Sequence, residues 1–179
     1  SRFTKTVLEQ IDTLTSIANE FSNFAKMPKA QEEKLELLSL ISGVTDLYSE
    51  TEGTVIRFIH PQLDEAYVYC DREQWIRVFN NLIKNALQAI PEDRLGKVDV
   101  TLKKLPGWYQ VEVRDNGSGI SPDKIEKIFT PNFTTKSTGM GLGLAMVKNI
   151  VENAGGRIWF ETVQGSGTSF FVEIPEYIE

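Results

Sequence analysis

Gly139-Met140-Gly141-Leu142-Gly143-Leu144-Ala145-Met146-Val147-Lys148-Asn149-Ile150-Val151 is a glycine-punctuated loop that runs into an apolar segment of helical period. Its reading decides how the rest of the chain is read. Glycines at alternate positions let the backbone approach a ligand closely and take up positive φ. The helix that follows offers unpaired N–H groups and the positive end of its dipole, which suit an anion. Two readings stand on this stretch alone: a phosphate clamp, and a loop that merely turns the chain.

Composition narrows the setting. The 179 residues, 41% of them apolar and 10% aromatic, can bury the core of one ordinary domain with an appendage. No run approaches the length of apolar residues that crosses a bilayer, and no charged-then-apolar segment like a signal peptide opens the chain, so the expected location is cytoplasmic. Cys70 is the single cysteine. It cannot form an internal disulfide, and its apolar neighbours mark it as a buried strand residue without chemistry. With 19 basic against 25 acidic residues, the net charge of −6 argues against a broad nucleic-acid footprint.

Outward toward the N-terminus, Val7, Ile11, Leu14, Ala18, Phe21 and Ala25 recur at spacings of four and three, a heptad seam on a helix from Thr4 to Met27. That helix is about 36 Å long at 1.5 Å per residue and stops at Pro28. Its apolar side calls for a partner helix; the alternative is that it folds back on the main domain. Lys29 to Lys34 reads as a polar linker, placing a domain boundary near residue 30, and a shorter helix runs from Leu35 to Tyr48. Thr54–Ile59 and Ala66–Cys70 read as strands. His60, the only histidine, falls in the connection before Pro61 and has no partner acid or metal cluster nearby.

Asp71-Arg72-Glu73-Gln74 opens a helix as a capping box, with Asp71 as N-cap and Gln74 reaching back. Ile76, Phe79, Ile83, Ala86, Leu87 and Ile90 form its core stripe. Arg77, Asn81, Asn85 and Gln88 form a second line on roughly the opposite side. Asparagine is a poor interior helix former, and a solvated face is normally filled with Lys, Glu and Arg. The line is therefore read as a polar site, with plain solvent exposure as the alternative.

Lys97–Leu102 and Tyr109–Val113 alternate around Pro106-Gly107 as an antiparallel hairpin. It leads to Asp115-Asn116-Gly117-Ser118-Gly119-Ile120, where an acid at a strand end can present its carboxylate to a ligand. As bare pattern this is equally a turn. Ser121-Pro122 starts a short helix through Phe129. Residues 130–140, with Thr134, Thr135 and Lys136, read as a mobile lid. Gly155-Gly156 ends the helix that follows the glycine loop, and Arg157–Phe160 and Ser169–Ile174 close the chain as a strand pair across Gly165 to Thr168.

In order, these stretches are Asn81-x-x-x-Asn85, Asp115-x-Gly117-x-Gly119, Phe129-x-x-x-Phe133 and Gly139-x-Gly141-x-Gly143. That order resembles the N, G1, F and G2 boxes of the ATP-binding catalytic domain of sensor histidine kinases. Glu20 to Pro28 and Phe133-Thr134-Thr135-Lys136 are similar to the nitrogen-regulation type. The resemblance covers about residues 30 to 175. It implies an α+β fold, a two-layer α/β sandwich shared with gyrase, the Hsp90 chaperones and MutL, whose mixed sheet is covered on one face by helices. Residues 1–29 would then be part of the second helix of the dimerisation and histidine-phosphotransfer domain, and residues 30–179 the catalytic domain.

The resemblance further implies that ATP or ADP is bound with Mg²⁺. Asp115 would accept the adenine amino hydrogen, Gly119 would leave room for the base above Ile120, and Thr168 would lie near the adenine. Asn85 would hold Mg²⁺. The N–H groups around Gly141 and Gly143, with Lys136, would bind the phosphates. Gln88, Gly117, Phe129, Thr134, Thr135, Gly139, Leu142 and Leu144 complete the candidate nucleotide site, and Asn81 joins Asn85 as a candidate catalytic residue. Related hydrolases carry a glutamate base at the position of Asn81, so phosphotransfer is favoured over hydrolysis. Walker A, the eukaryotic-type kinase motifs and the dinucleotide GxGxxG spacing are absent.

The family's acceptor histidine lies on the first dimerisation helix, and His60 does not match it. The chain is thus expected to be a fragment that binds ATP without autophosphorylating. Its implied partners are the acceptor helix of the same kinase, a response regulator and, in the full-length protein, a second copy; anchoring of that protein to the inner membrane stays open. Two alternatives accompany this reading: a nucleotide-dependent binding or dimerisation module, and a slow ATPase.

Overall fold

The structure, a computed structural model, describes residues 2–131 and 141–179. α1 (Arg2–Ala25) comes first and buries none of its residues, which leaves Val7, Ile11 and Leu14 on its seam exposed. Then follow β1 (Glu32–Glu36), α2 (Leu37–Asp46), β2 (Thr54–Ile59), β3 (Tyr67–Asp71) and α3 (Arg72–Gln88). The second half runs β4 (Gly96–Leu105), β5 (Trp108–Asp115), α4 (Pro122–Ile125), α5 (Gly143–Asn153), β6 (Arg157–Val163) and β7 (Gly167–Pro175).

The main sheet has the order β2-β4-β5-β7-β6; β2 pairs parallel with β4 and every other pair is antiparallel. Alternation along the strands makes it one-sided. Val98, Val100 and Leu102 on β4, Val111 and Val113 on β5, and Phe170, Val172 and Ile174 on β7 are buried against α2, α3 and α5. The other face carries polar and aromatic pairs. Trp159 stacks on Phe171 at 5.2 Å, and the buried Glu173 accepts hydrogen bonds from Gln110 and Arg157. This is the expected α+β sandwich, a mixed sheet with helices on one face.

Four local expectations are corrected. Glu32 to Lys34 is not linker but strand, since β1 pairs antiparallel with β3 and sets Leu35 opposite Val68. Glu32, Glu33 and Lys34 are exposed, Glu36 is half-buried and only Leu35 is buried, so no alternation was legible. The capping box is half formed. Asp71 accepts from the Gln74 amide at 3.0 Å, but the Gln74 side chain donates to the carbonyl of Pro28. Finally, the deepest stripe of α3 is Trp75, Val78, Phe79, Leu82, Ile83 and Ala86, while Ile76, Leu87 and Ile90 are only half-buried. With the sheet beneath it and α2 and α5 beside it, α3 buries a wider arc than one stripe. The helix expected through Phe129 ends at Ile125 and continues as turns.

Candidate functional site

The alternation that buries Tyr109, Val111 and Val113 puts Asp115 next on the same face of β5. A carboxylate therefore ends an apolar row, with 6% of its surface exposed. Its Oδ1 accepts from the Gly117 amide at 2.8 Å and from the Thr168 amide at 3.3 Å, and Oδ2 takes neither bond. Burial pushes the carboxyl above its ordinary 3.8, and these two N–H groups oppose the shift without cancelling it.

A cavity of about 290 Å³ opens over this carboxylate. Of the residues singled out from sequence, Asn85, Gln88, Asp115, Gly119, Ile120, Leu144 and Thr168 line it together. The Asn85 Nδ2 is buried without a hydrogen-bond partner among the described residues. Gly119 has φ of 70°, and a Cβ there would strike the carbonyl of Val163, so the wall behind the cavity requires a residue without one. Thr162 holds this wall together: it accepts from the Ile120 amide at 2.9 Å and shares a 2.9 Å hydroxyl contact with Thr168.

Asn81 faces elsewhere. It lines a second cavity of about 320 Å³ with Arg77, Lys84, Leu142 and Gly143, closed on one side by Glu20, Asn23 and Phe24 of α1. Its Nδ2 donates to the Arg77 carbonyl at 2.8 Å. A Cβ on Gly143 would stand 2.5 Å from the Asn81 Oδ1, so glycine lets the start of α5 press directly on α3. Asn81 and Asn85, one turn apart, thus address adjacent cavities. The start of α5 carries no side-chain cap among the described residues, which leaves N–H groups there for a ligand.

Phe129 lines neither cavity. It packs edge-on against Phe160 and Phe170, and Phe170 forms part of the first cavity wall. Gly117 and Gly141 line neither, although Gly117 donates to Asp115. Phe133, Thr134, Thr135, Lys136 and Gly139 lie outside the described residues, as do residues 132–140 of the lid expected over 130–140. Sequence reasoning missed Ala89, Ser118, Ser121, Lys124, Gln164 and Phe170 in the first cavity and Lys84 in the second. Phe170 was the one within reach, since it shares a strand face with Thr168. His60 is exposed against Phe58, lining neither cavity, and burial pushes the Cys70 thiol up to about 12, where it is inert.

The donor set can be stated chemically. One cavity ends in a buried carboxylate suited to a hydrogen-bond donor on a flat ring. Beside it stand an amide with an unpartnered end, an uncapped helix start and two cations, Arg77 and Lys84, suited to an anionic tail.

Comparison with known proteins bears on the family and the fold. Residues 70–178 match the family profile described as Histidine kinase-, DNA gyrase B-, and HSP90-like ATPase. The sensor histidine kinase DcuS of Escherichia coli K12 is 42% identical over 139 residues, 78% of this chain and 25% of DcuS. The chain thus spans a quarter of that relative. The solved catalytic domain of histidine kinase ThkA superposes with a TM-score of 0.72 at 33% identity, over 82% of this chain and 96% of that one. ThkA in complex with the response regulator TrrA superposes with a TM-score of 0.79 at 28% identity, over 99% of this chain and 51% of that one.

Proposed function

This chain belongs to the histidine kinase-, DNA gyrase B- and HSP90-like ATPase family, as an ATP-binding catalytic domain of the sensor-histidine-kinase kind, and from that premise we propose that it delivers the γ-phosphoryl of Mg·ATP to a histidine outside this chain. One observation carries the reading. The buried Asp115 carboxylate ends a cavity at whose other side α3 and the uncapped start of α5 meet. That arrangement suits a purine amino group at one end and phosphates at the other.

The residues divide the work. Asp115 accepts the adenine amino hydrogen, Gly119 and Ile120 leave a flat slot for the base, and Thr168 lies at its edge. The α5 start with Gly143, together with Arg77 and Lys84, holds the phosphates, and Lys136 and the threonines beside it contribute from the segment before the glycine loop. Asn85 would hold Mg²⁺ through its amide oxygen, while its buried Nδ2, without a partner among the described residues, is a donor suited to a phosphate oxygen; when bound, Mg²⁺ neutralises phosphate charge during transfer. Asn81 is no base, and an amide there preserves the phosphoryl group for a side-chain acceptor instead of activating water.

His60, the sole histidine, lines neither cavity, which supports an acceptor outside this chain. Residues 1–29 serve as part of the dimerisation helix pair that presents that acceptor, residues 30–179 as the catalytic domain, and the phosphoryl group passes on to a response regulator. ATP as donor points to the cytoplasm. Among the described residues no helix is long and apolar enough to cross a membrane.

Calorimetric titration of ADP and ATP, with and without Mg²⁺, into this chain and into Asp115→Asn tests the reading. Binding by the unmodified chain and its loss in the variant are expected; no binding by the unmodified chain overturns it. Phosphotransfer is tested separately by supplying the acceptor helix of a histidine kinase together with Mg·ATP. Phosphohistidine on that helix is the expected product. Phosphohistidine on this chain alone would contradict the assignment of the acceptor.

A further inference from the structure

Arg94 lies in the connection between α3 and β4, in a stretch whose sequence, Asp93-Arg94-Leu95-Gly96, carries no recognisable motif. It lines neither cavity. Yet one of its nitrogens, Nη1, donates to the carbonyl of Asn116 at 3.1 Å and to that of Gly165 at 3.2 Å, with the Gly117 carbonyl at 3.5 Å. Those carbonyls come from two separate connections. Asn116 and Gly117 follow Asp115 directly, and Gly165 sits in the turn between β6 and β7, beside Gln164 of the cavity wall.

The same two connections are joined by few other bonds. The Gly165 amide donates to the Ser118 carbonyl at 2.7 Å, and the Ser118 amide donates to the Ala89 carbonyl at 2.8 Å. The Asn116 side chain ties its own loop down, accepting from the Lys97 amide at 2.8 Å and donating to the Leu95 carbonyl at 2.9 Å. A guanidinium drawing carbonyl dipoles from both sides closes this ring of contacts, because charge-assisted bonds are stronger than neutral ones. The part it holds is the backbone that aims Asp115: the Gly117 amide, which bonds the carboxylate, belongs to the same planar peptide unit as the Asn116 carbonyl that Arg94 grips.

We propose that Arg94 is a positioning residue for purine selection, pinning the Asp115–Gly119 loop against the β6–β7 turn so that the buried carboxylate meets the amino group of adenine. The assignment rests on the reading of this cavity as an adenine site. It makes Arg94 act through Asp115, without touching the nucleotide. Loosening the loop blurs the choice between an amino group and a carbonyl at the same ring position, whereas contacts to the phosphates are untouched.

The test compares Mg·ADP with Mg·inosine diphosphate, which carries a carbonyl in place of that amino group, on the unmodified chain, Arg94→Ala and Arg94→Lys. Affinities come from calorimetry, and thermal unfolding of each protein is recorded alongside. Arg94→Ala is expected to weaken ADP about tenfold and inosine diphosphate less than about twofold, so that the preference for adenine shrinks. Arg94→Lys, which keeps a cation in reach of these carbonyls and covers the case of a poorly folding alanine variant, is expected to fall between the two. Equal losses for both nucleotides, which mere loosening of the fold would produce, overturn the proposal, and so does an unchanged ADP affinity. An unmodified chain that fails to bind ADP overturns the adenine reading itself, a result distinct from either.

Discussion

Asp115 has two effects that oppose each other. A carboxylate held at the end of an apolar row is a strong acceptor for a ligand and a burden on the empty fold, because burial disfavours its charged form. Its folded-state pKa is raised, so the domain is more stable below the unfolded value of 3.8 and loses stability as pH rises through the raised value. Asp115→Asn keeps an oxygen for the Gly117 and Thr168 amides and removes the charge. It is expected to weaken ADP more than about tenfold yet unfold at a higher temperature than the parent at pH 7. That gain in melting temperature shrinks toward zero as the pH is lowered to 3.8, which a pH series of thermal melts reads directly. Gly119→Ala takes the opposite course. At φ of 70° and with the Val163 carbonyl in the way, the added methyl is expected to cost about 2 to 4 kcal/mol in denaturant unfolding and to narrow the cavity.

Among the elements, α3 does most to join stability to function. Its buried side, with Leu82 and Phe79 fully enclosed, packs on the sheet, and its flank carries Asn81 and Asn85 to the two cavities. The flank stands roughly 60 to 100° round the helix from Leu82, not opposite it, and this offset turns a polar line toward α5 instead of toward water. Leu82→Ala is expected to cost about 2 to 5 kcal/mol through the cavity it leaves. The start of α3 rests on Asp71, which accepts from the Gln74 amide and, at 2.6 Å, from the Gln31 amide that leads into β1. Burial alone would raise the Asp71 carboxyl, but the N–H groups of Gln74, Gln31 and Glu73 together hold it below 3.8. A lowered pKa means stability that is present above 3.8 and lost as pH falls through the lowered value. Asp71→Ala is therefore expected to cost about 1 to 2 kcal/mol at pH 7, with a smaller difference from the parent at pH 3, in paired urea titrations.

At the scale of the molecule, the chain is a self-sufficient sandwich with a helix extending from it. Residues 2–19 contribute nothing to the core, so a chain beginning at residue 20 is expected to melt within about 2 °C of the parent and to bind ADP with similar affinity. Much of this was legible beforehand. Strand alternation exposed the hairpin of β4 and β5 and the acid at its end, and four short motifs in series, of asparagine, of aspartate with glycine, of phenylalanine and of glycine, pointed to one family and hence to one sandwich. β1 was illegible because a strand whose partner supplies its backbone bonds needs only one buried side chain. Arg94 was illegible because its partners are carbonyls, which every residue carries. The sequence by itself determined most of the helices and strands, though not β1, and which residue types could serve a nucleotide, because periodicity and motif spacing are local properties of the chain. Only the tertiary structure decided that Asn81 and Asn85 address different cavities, that Phe129 stands behind Phe170, and that the loop aiming Asp115 is gripped from outside, because each depends on how far apart in space two distant segments come to rest.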